Sequence, residues 1–328
     1  MIDYSVIIRT TGKAGEKYRK LLSSIDSLVP KPKEVIVVLP DGYNLPDDQL
    51  GWETFYFCPK GMVIQRLFGV NKCKTKYALI TDDDIAFESD FVQKLHKPLI
   101  DGKYSISAGP LIEFFPGKGL PEIMSVLTGA AGPSILHRER YNTVWRTTGY
   151  SYNRNIEIGS GKLYETQSAA WTCFYADIIK LKSIRFDDEQ IWLDKNGYSA
   201  HDDTAMFYKA WLRGVKSVIV ANAPYQHLDA KTSTRGNMEN ALYASGFNDV
   251  VFWHRYLKGH NFFEQIWSKL CIHYRFFTQW FYNRLNKFRS RMTDSEIKAF
   301  ESGIKDGWKW IKTDEYKSIP SIMEDVSQ

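Results

Sequence analysis

The sequence has few cysteines, no long apolar run and no strong excess of either charge. Its 4 cysteines lie far apart without a CxxC pair, so neither a zinc site nor a disulfide framework is indicated, and a reducing cytosol is the expected setting. No stretch reaches the roughly 18 consecutive apolar residues of a membrane-spanning helix. The N-terminus starts directly with a strand pattern instead of a signal segment. We therefore expect a cytoplasmic protein that crosses no membrane.

The composition indicates a large folded protein with no nucleic-acid partner. The formal net charge of +5 is modest for 328 residues and gives no reason to expect nucleic-acid binding. Hydrophobic residues make up 44% of the chain and aromatic residues 15%, and the second figure is high. One large domain, with room for an extension, is expected.

Three consecutive aspartates, Asp82, Asp83 and Asp84, follow the apolar run 77–80 almost at once. The run predicts a short strand buried on both faces, as in a parallel sheet. Because unpaired carboxylates are costly to bury, we expect the aspartates at the strand's end, where open α/β sheets bind ligands. Oxygen ligands packed this closely favour Mg²⁺ or Mn²⁺ completed by substrate phosphates. A solvated turn that caps the next helix is the alternative.

Apolar runs and helical spacing alternate along the chain and predict a mostly parallel α/β sheet flanked by helices. The predicted strands are 5–10, 34–39, 55–57, the run that ends at the three aspartates, 104–108, 169–175 and 215–220. The predicted helices are 18–28, 62–73, 88–100, 177–181 and a helix that ends at Arg213. Residues 113–165 show no clean period, and such a long irregular segment is often functional.

A second acidic pair, Asp202 and Asp203, opens the last of these helices. A carboxylate at the start of a helix can carry chemistry, but Asp is also a good N-cap residue. The pair alone therefore leaves a catalytic and a purely structural role open.

A histidine and a polar loop follow the last predicted strand. His227 on its own is more often an ordinary, partly buried histidine than a ligand. The polar segment 229–240 predicts a flexible loop. It carries Lys231 and Arg235, which alone would be solvated charges.

Residues 243–328 differ in character from the rest of the chain. Aromatic residues and leucines recur every three or four positions from 263 to 288 and predict one or two amphipathic helices. Between 250 and 291 the chain is strongly basic, with Glu264 as the one acid. Such a stripe packs on its own domain or on a partner, or it lies on an anionic membrane surface. Both interpretations stay open, and so does an oligomer.

The order of these segments resembles glycosyltransferase family 2, the inverting enzymes of GT-A fold, over roughly residues 4–230. The matching segments are SVIIRTT, Lys60-Gly61 with Arg66, ITDDDIAF, HDDTAMFYKAWLRG and His227. Two strand ends depart from the family pattern. The second strand ends in LPDG where the family usually has two acids and Gly-Ser, and the first ends in RTT where a proline is common.

The resemblance implies a domain organisation. A Rossmann-like GT-A domain would occupy residues 1–242, and the helical region 243–328 would follow it. The donor half of the GT-A domain would be about 1–110, and the acceptor half about 111–242.

The resemblance also implies a donor site and a metal. Mn²⁺ or Mg²⁺ would be held by Asp84 and His227, with Asp82 as a further ligand, a ribose contact or a partner of the metal's waters. The cation would neutralise the leaving diphosphate, and the loop that carries Lys231 and Arg235 would close over it. The implied donor-binding residues are Arg9, Thr10, Thr11, Asp41, Lys60, Arg66, Asp82, Asp83, Lys231 and Arg235.

For the acceptor, the resemblance implies that Asp203 takes the proton from a hydroxyl as it attacks the anomeric carbon. This geometry inverts the configuration without a covalent intermediate. Asp202 would orient the acceptor or the start of the helix. Trp171 is a core residue or stacks on the acceptor.

The predicted function is therefore transfer of a sugar from a nucleotide-diphosphate sugar to a glycan or lipid-linked glycan, in bacterial surface-polysaccharide assembly. A peripheral position on the inner face of the cell membrane, through residues 250–291, stays open. One alternative is a nucleotidylyltransferase, whose Gly-rich basic loop is faintly echoed by Gly12-Lys13-Ala14-Gly15. The other is a non-catalytic binding protein on the same fold.

Overall fold

The computed structural model describes residues 2–115, 117–133, 139–153, 155–229 and 238–322. Its strands are β1 Tyr4–Arg9, β2 Glu34–Pro40, β3 Thr54–Cys58, β4 Tyr77–Asp82, β5 Ile85–Phe87, β6 Ile106–Ala108, β7 Asn142–Thr143, β8 Ser151–Tyr152, β9 Leu163–Thr166, β10 Cys173–Asp177, β11 Ser217–Val220 and β12 Tyr225–His227. Its α-helices are α1 Glu16–Ser27, α2 Met62–Lys72, α3 Phe91–His96, α4 Leu120–Leu127, α5 Ile178–Ser183, α6 Asp187–Leu193, α7 Asp202–Leu212, α8 Met238–Phe252, α9 Phe262–Phe288, α10 Asp294–Trp310 and α11 Asp314–Lys317.

An eight-stranded sheet forms the centre of the fold, in the order β3-β2-β1-β4-β10-β6-β11-β9. The strands from β3 to β4 pair in parallel, and so do β6 and β11. Strand β10 runs antiparallel to both of its neighbours, and β9 runs antiparallel to β11. The predicted class, a mostly parallel sheet flanked by helices and followed by C-terminal helices, is confirmed.

The central strands are apolar on both faces because each face packs under its own layer of helices. In β1, Val6 and Ile8 belong to the core cluster that contains residues of α1 and α3. Ile7, between them, belongs to the opposite cluster, which contains residues of α2, α7 and α8. This two-sided burial is typical of parallel strands, and it leaves the carboxyl ends of the strands as the polar edge.

Three predicted elements differ from the structure. The strand predicted over 169–175 begins only at Cys173. The helix predicted over 88–100 is shorter, and it gives way to a 3₁₀ turn over Lys97–Leu99, where Pro98 lacks the amide that an α-helix would use. The segment 113–165, predicted to be irregular, contains the regular helix α4. None of the residues of α4 is buried, although its apolar residues lie on one face and Glu122 and Ser125 on the other.

The C-terminal helices are tightly joined to the rest of the protein. The predicted boundary between 242 and 243 falls inside α8. Helices α8 and α10 approach so closely that a Cβ on Gly303 would collide with the carbonyl oxygen of Tyr243. The buried carboxylate of Glu189 in α6 accepts hydrogen bonds from Arg255, in the π-helical turn after α8, at 2.6 and 2.5 Å, and from Lys209 of α7 at 2.9 Å. Among the described helices, none combines the length and apolar content that a membrane crossing requires.

Candidate active site

Asp82 lies at the carboxyl end of β4, directly beside Arg9 at the end of β1, because the two residues are register partners in the parallel pair. The Arg9 Nε donates to Asp82 Oδ1 at 3.0 Å. Arg66 of α2 donates from one terminal nitrogen to both carboxylate oxygens, at 2.7 and 2.9 Å. Burial raises the pKa of Asp82, but the charges of Arg66 and Arg9 outweigh it and the net pKa is lowered. Asp82 is therefore held ionised, with both carboxylate oxygens bonded to arginines.

Arg66 connects the two acidic segments that are far apart in sequence. Its other terminal nitrogen donates to Asp202 Oδ2 at 3.1 Å. The guanidinium lies over the ring of Trp171, 4.7 Å from its centroid. Trp171 is only 4% exposed and belongs to the core. The structure therefore places Trp171 beneath Arg66, and the tryptophan fixes the position of the arginine.

Asp83 is buried on the other side of the strand end, against Thr10. The Thr10 hydroxyl donates to Asp83 Oδ2 at 2.6 Å, and Gln65 of α2 holds the Thr10 carbonyl at 3.1 Å. Burial raises the pKa of Asp83 to about 6. The next hydroxyl, Thr11 Oγ1, is buried and has no hydrogen-bond partner among the described residues, so it is available to a ligand.

Asp84 and His227 are brought together by the small antiparallel ribbon of β5 and β12. His227 is the register partner of Ile85, and the Leu228 amide donates to the Asp84 carbonyl at 2.8 Å. This places His227 Nε2 at 3.5 Å from Asp84 Oδ1. Sequence spacing alone does not bring these residues together; the pairing of two three-residue strands does.

The donor set at this strand end fits a hard cation that also takes ligands from a substrate. Asp84 and His227 supply one carboxylate and one imidazole, a combination that suits Mn²⁺ and is compatible with Mg²⁺ completed by phosphate oxygens. Asp82 is not brought to them as a third ligand, since both of its oxygens bond arginines. Accordingly, the described residues contain no group of three or more His, Cys, Asp or Glu side chains placed to hold a metal.

Asp202 and Asp203 occupy the first turn of α7. The N-cap position belongs to His201, whose backbone is left-handed with φ 71°. Each carboxylate accepts from the amide of the following residue, at 2.8 Å for Asp202 and 2.6 Å for Asp203. Burial raises the pKa of both groups, in Asp202 to about 7. For Asp203 the Thr204 amide, His201 and the Thr204 hydroxyl lower the pKa, and Arg66 does so less.

Asp203 faces a cavity of about 270 Å³. Four tyrosines line the cavity, together with small polar residues from β7 and α7. Asn142 Oδ1, in this wall, is buried without a hydrogen-bond partner among the described residues. The aromatic residues at the cavity are Phe115, Tyr141, Tyr150, Tyr152 and Tyr198. Rings, hydroxyls and an unpaired amide oxygen around a carboxylate suit a polyhydroxylated ligand.

The C-terminal helices support this cavity through His201. The His201 Nε2 lies 2.5 Å from Asp249 Oδ1 of α8, and Arg275 of α9 contacts the same oxygen at 3.2 Å. The His201 ring also stacks on Phe252, with centroids 4.9 Å apart. Asp249 and Arg275 were not among the predicted site residues, although an acid in the apolar second half of α8 was a signal for a buried polar contact.

Lys60 and Asp41 lie at the outer end of the same sheet edge. Lys60 is 5.6 Å from the centroid of the Tyr43 ring, and Lys13 is 5.0 Å from it. Gly61 is required beside Lys60, because a Cβ there would lie 2.5 Å from Asp194 Oδ2, which caps α2. Asp41, beyond β2, is exposed. Two predicted residues, Lys231 and Arg235, lie outside the described part of the chain.

Comparison with known proteins finds similarity in fold. The structure of S. aureus TarS 1-349 has a TM-score of 0.52 at 15% identity, covering 95% of this chain and 81% of that chain. TarS 1-349 in complex with UDP-GlcNAc gives 0.49 at 14% identity, over 93% and 80%. GalNAc-T7 with UDP, GalNAc and Mn²⁺ gives 0.48 at 11% identity, over 83% of this chain and 54% of that chain, so this chain spans about half of GalNAc-T7.

No family model matches the sequence, and neither does any curated protein sequence. The structural neighbours are GT-A glycosyltransferases. The match to TarS 1-349 therefore shows that this chain has the GT-A fold, as the sequence predicted.

Proposed function

We propose that the protein is an inverting, metal-dependent glycosyltransferase, which moves a sugar from a nucleotide-diphosphate sugar to a hydroxyl of a glycan or lipid-linked glycan. One observation carries the proposal. Asp203, a carboxylate with a raised pKa, lines a polar, aromatic cavity and is joined through Asp202 and Arg66 to Asp82. A base and a cation-binding strand end thus share one edge of a GT-A sheet.

On the donor side, Asp84 and His227 would hold the cation, which supplies positive charge for the leaving diphosphate when bound. Arg9 and Arg66 keep Asp82 ionised and fixed in place, ready to accept hydrogen bonds from a ribose or from water. Thr11, whose hydroxyl has no hydrogen-bond partner among the described residues, follows the neighbouring strand β1. Lys13, Lys60 and Tyr43 extend this edge with two cations and a ring, which suit a nucleotide.

On the acceptor side, the raised pKa makes Asp203 a better proton acceptor near neutral pH than an ordinary carboxylate. The acceptor oxygen forms a bond to the anomeric carbon while the bond from that carbon to the diphosphate oxygen breaks. The hydroxyl proton passes to Asp203, and the electron pair leaves with the nucleotide diphosphate. Asn142 and the tyrosine hydroxyls orient the acceptor in the cavity.

The test is a panel of nucleotide-diphosphate sugars incubated with Mn²⁺ or Mg²⁺ and a mixture of glycan and lipid-linked acceptors. We expect metal-dependent release of nucleotide diphosphate with at least one donor, and a product of inverted anomeric configuration by NMR. The matched control is Asp203→Asn, which keeps the fold. Release of pyrophosphate from a nucleoside triphosphate and a sugar phosphate would instead indicate a nucleotidylyltransferase. Donor binding without turnover on any acceptor would indicate a binding protein.

A further inference from the structure

Helix α9 leaves most of its apolar side chains in solvent. Its 27 residues make it about 40 Å long, yet only Ser268, Ile272 and Asn283 are buried. Phe263 is 80% exposed and Phe288 is 87% exposed. The exposed side chains used below are Phe263, Trp267, Leu270, Phe277, Phe281 and Phe288.

These exposed side chains form one continuous strip. Their spacing of three, four and seven residues places them on one face of the helix, because an α-helix repeats every 3.6 residues. The buried residues of α9 lie on the opposite face. A strip of this length and aromatic content on a single face is a binding surface more often than a neutral part of a protein's exterior.

Helix α4 lies beside α9 and extends the apolar surface. The Tyr274 hydroxyl of α9 donates to the Leu127 carbonyl at 2.5 Å, and the Thr278 hydroxyl donates to the Thr128 carbonyl at 2.6 Å. Helix α4 buries none of its residues, and its Leu120 is 70% exposed. An apolar cavity of about 380 Å³ lies at the junction of the two helices. We call the exposed surfaces of α4 and α9 the α4–α9 face.

The charge around this face is positive. Lys269, Arg289 and Arg291 are exposed along α9 and just past its end. The one acid in α9, Glu264, bonds Arg146. Fewer of the basic residues between 250 and 291 are available to a membrane than the sequence suggested. Arg255 and Arg275 instead form ion pairs with buried acids of the fold.

We propose that the α4–α9 face lies on an anionic lipid surface. The face has an aromatic strip bordered by exposed cations, and Glu264 in α9 and Glu122 in α4 are its acids; this composition matches the headgroup and acyl boundary. A second copy of this chain would bring the same cations together without exposed acids on α9 to pair with them. The proposal does not depend on the transfer reaction.

The arrangement relates the lipid surface to the cavity. From the opposite side of α9, Arg275 contacts the Thr148 carbonyl at 3.0 Å and Asp249, the partner of His201. One helix thus separates the proposed lipid surface from the residues that support the cavity beside Asp203.

The test is flotation of the full chain with vesicles of phosphatidylcholine alone, or with one third phosphatidylglycerol, at low and high salt. We expect binding to the anionic vesicles at low salt and much weaker binding to the neutral ones. Phe277→Gln with Phe281→Gln should weaken partitioning by roughly tenfold for each aromatic side chain removed. Lys269→Gln with Arg289→Gln should weaken it by roughly fivefold for each charge.

Two control variants match these changes elsewhere on the surface. Ile179→Gln removes an exposed apolar side chain of α5, and Lys298→Gln with Lys305→Gln removes two exposed cations of α10. Both should bind vesicles like the unmodified chain. Absence of binding to anionic vesicles at low salt would overturn the proposal. It would also be overturned by a dimer in sedimentation that the Phe277 and Phe281 changes dissociate, with no vesicle binding, since a second copy would then occupy the face.

Discussion

Asp82 and Asp203 are two carboxylates at the same edge of the sheet, and their environments are opposite. Asp82 is buried between Arg9 and Arg66, and its pKa is lowered. Asp203 lines a cavity, it accepts hydrogen bonds from the Thr204 amide and hydroxyl, and its pKa is raised. Burial alone would raise the pKa of both. The difference shows that two arginines bonded to one carboxylate outweigh its burial, whereas the single arginine contact of Asp202 does not, since the pKa of that group is raised to about 7.

The opposite pKa shifts of Asp82 and Asp203 suit the two acidic segments to different tasks. A carboxylate with a low pKa that is clamped by arginines cannot take up a proton near neutral pH, but it can hold a ligand hydroxyl or a water. A carboxylate with a raised pKa beside a cavity is suited to general-base catalysis. Arg66 donates hydrogen bonds to both Asp82 and Asp202, so it links the two acidic segments directly.

The largest expected effect is on turnover in Asp203→Asn. Asparagine keeps the size of the side chain and can still accept from the Thr204 amide, so α7 should start normally. The amide cannot take up the proton, and the rate should fall by roughly 10²–10⁴-fold. Steady-state transfer kinetics measures this, with Asp202→Asn as the matched control. We expect the control to be milder, and a dead Asp202 variant beside a nearly normal Asp203 variant would move the base by one residue.

Removal of Arg66, which bonds both Asp82 and Asp202, should lower the free energy of unfolding. In Arg66→Met the buried Asp82 keeps only Arg9, and Asp202 loses its cation, so the free energy of unfolding should fall by about 3–5 kcal/mol. Urea denaturation followed by circular dichroism measures the loss. Arg19→Met is the control, because the pair of Arg19 and Asp48 is solvent-exposed and should contribute little. Equal free energies of unfolding for Arg66→Met and Arg19→Met would mean that Arg66 does not stabilise the fold.

A smaller, pH-dependent effect is expected at Asp83. Its folded pKa of about 6 lies above the ordinary value of 3.8, so wild-type stability from this group falls as the pH rises from about 4 to about 6. Asn can still accept from Thr10 and carries no charge. Relative to the wild type, Asp83→Asn should therefore gain about 2 kcal/mol between pH 4 and pH 7. Urea denaturation across this range tests it, and a difference independent of pH would show that burial does not perturb Asp83.

The end of β4 at Asp82–Asp84 could be predicted from the sequence, because the apolar run and the carboxylates after it indicate the same structure. An apolar run followed by three carboxylates leaves few places for those carboxylates other than the end of a buried strand. The same holds for Asp202 and Asp203 at the start of α7. The order of the segments then identified the GT-A fold, which the structure confirms.

The partners of these residues could not be predicted in the same way. Arg66 meets Asp82 and Asp202 only after α2 packs on the sheet. His227 meets Asp84 through the pairing of β5 with β12, and only the family resemblance, not residue spacing, named the two residues together. The support of His201 by Asp249 and Arg275 depends on how the C-terminal helices pack. These contacts are tertiary, so neither residue spacing nor periodicity contains them. Helix α4 was missed although its sequence carries the helical pattern, with Leu120, Ile123 and Leu127 on one face and Glu122 and Ser125 on the other.

The most direct test of the two-task account measures turnover and metal-dependent binding of nucleotide diphosphate side by side in Asp203→Asn and Asp84→Asn. Isothermal titration with Mn²⁺ gives the affinity, and the transfer assay gives the rate. The account predicts that Asp203→Asn loses turnover and keeps its affinity, whereas Asp84→Asn loses turnover together with metal-dependent affinity. Equal loss of affinity in both variants, or full activity of either one, would contradict it.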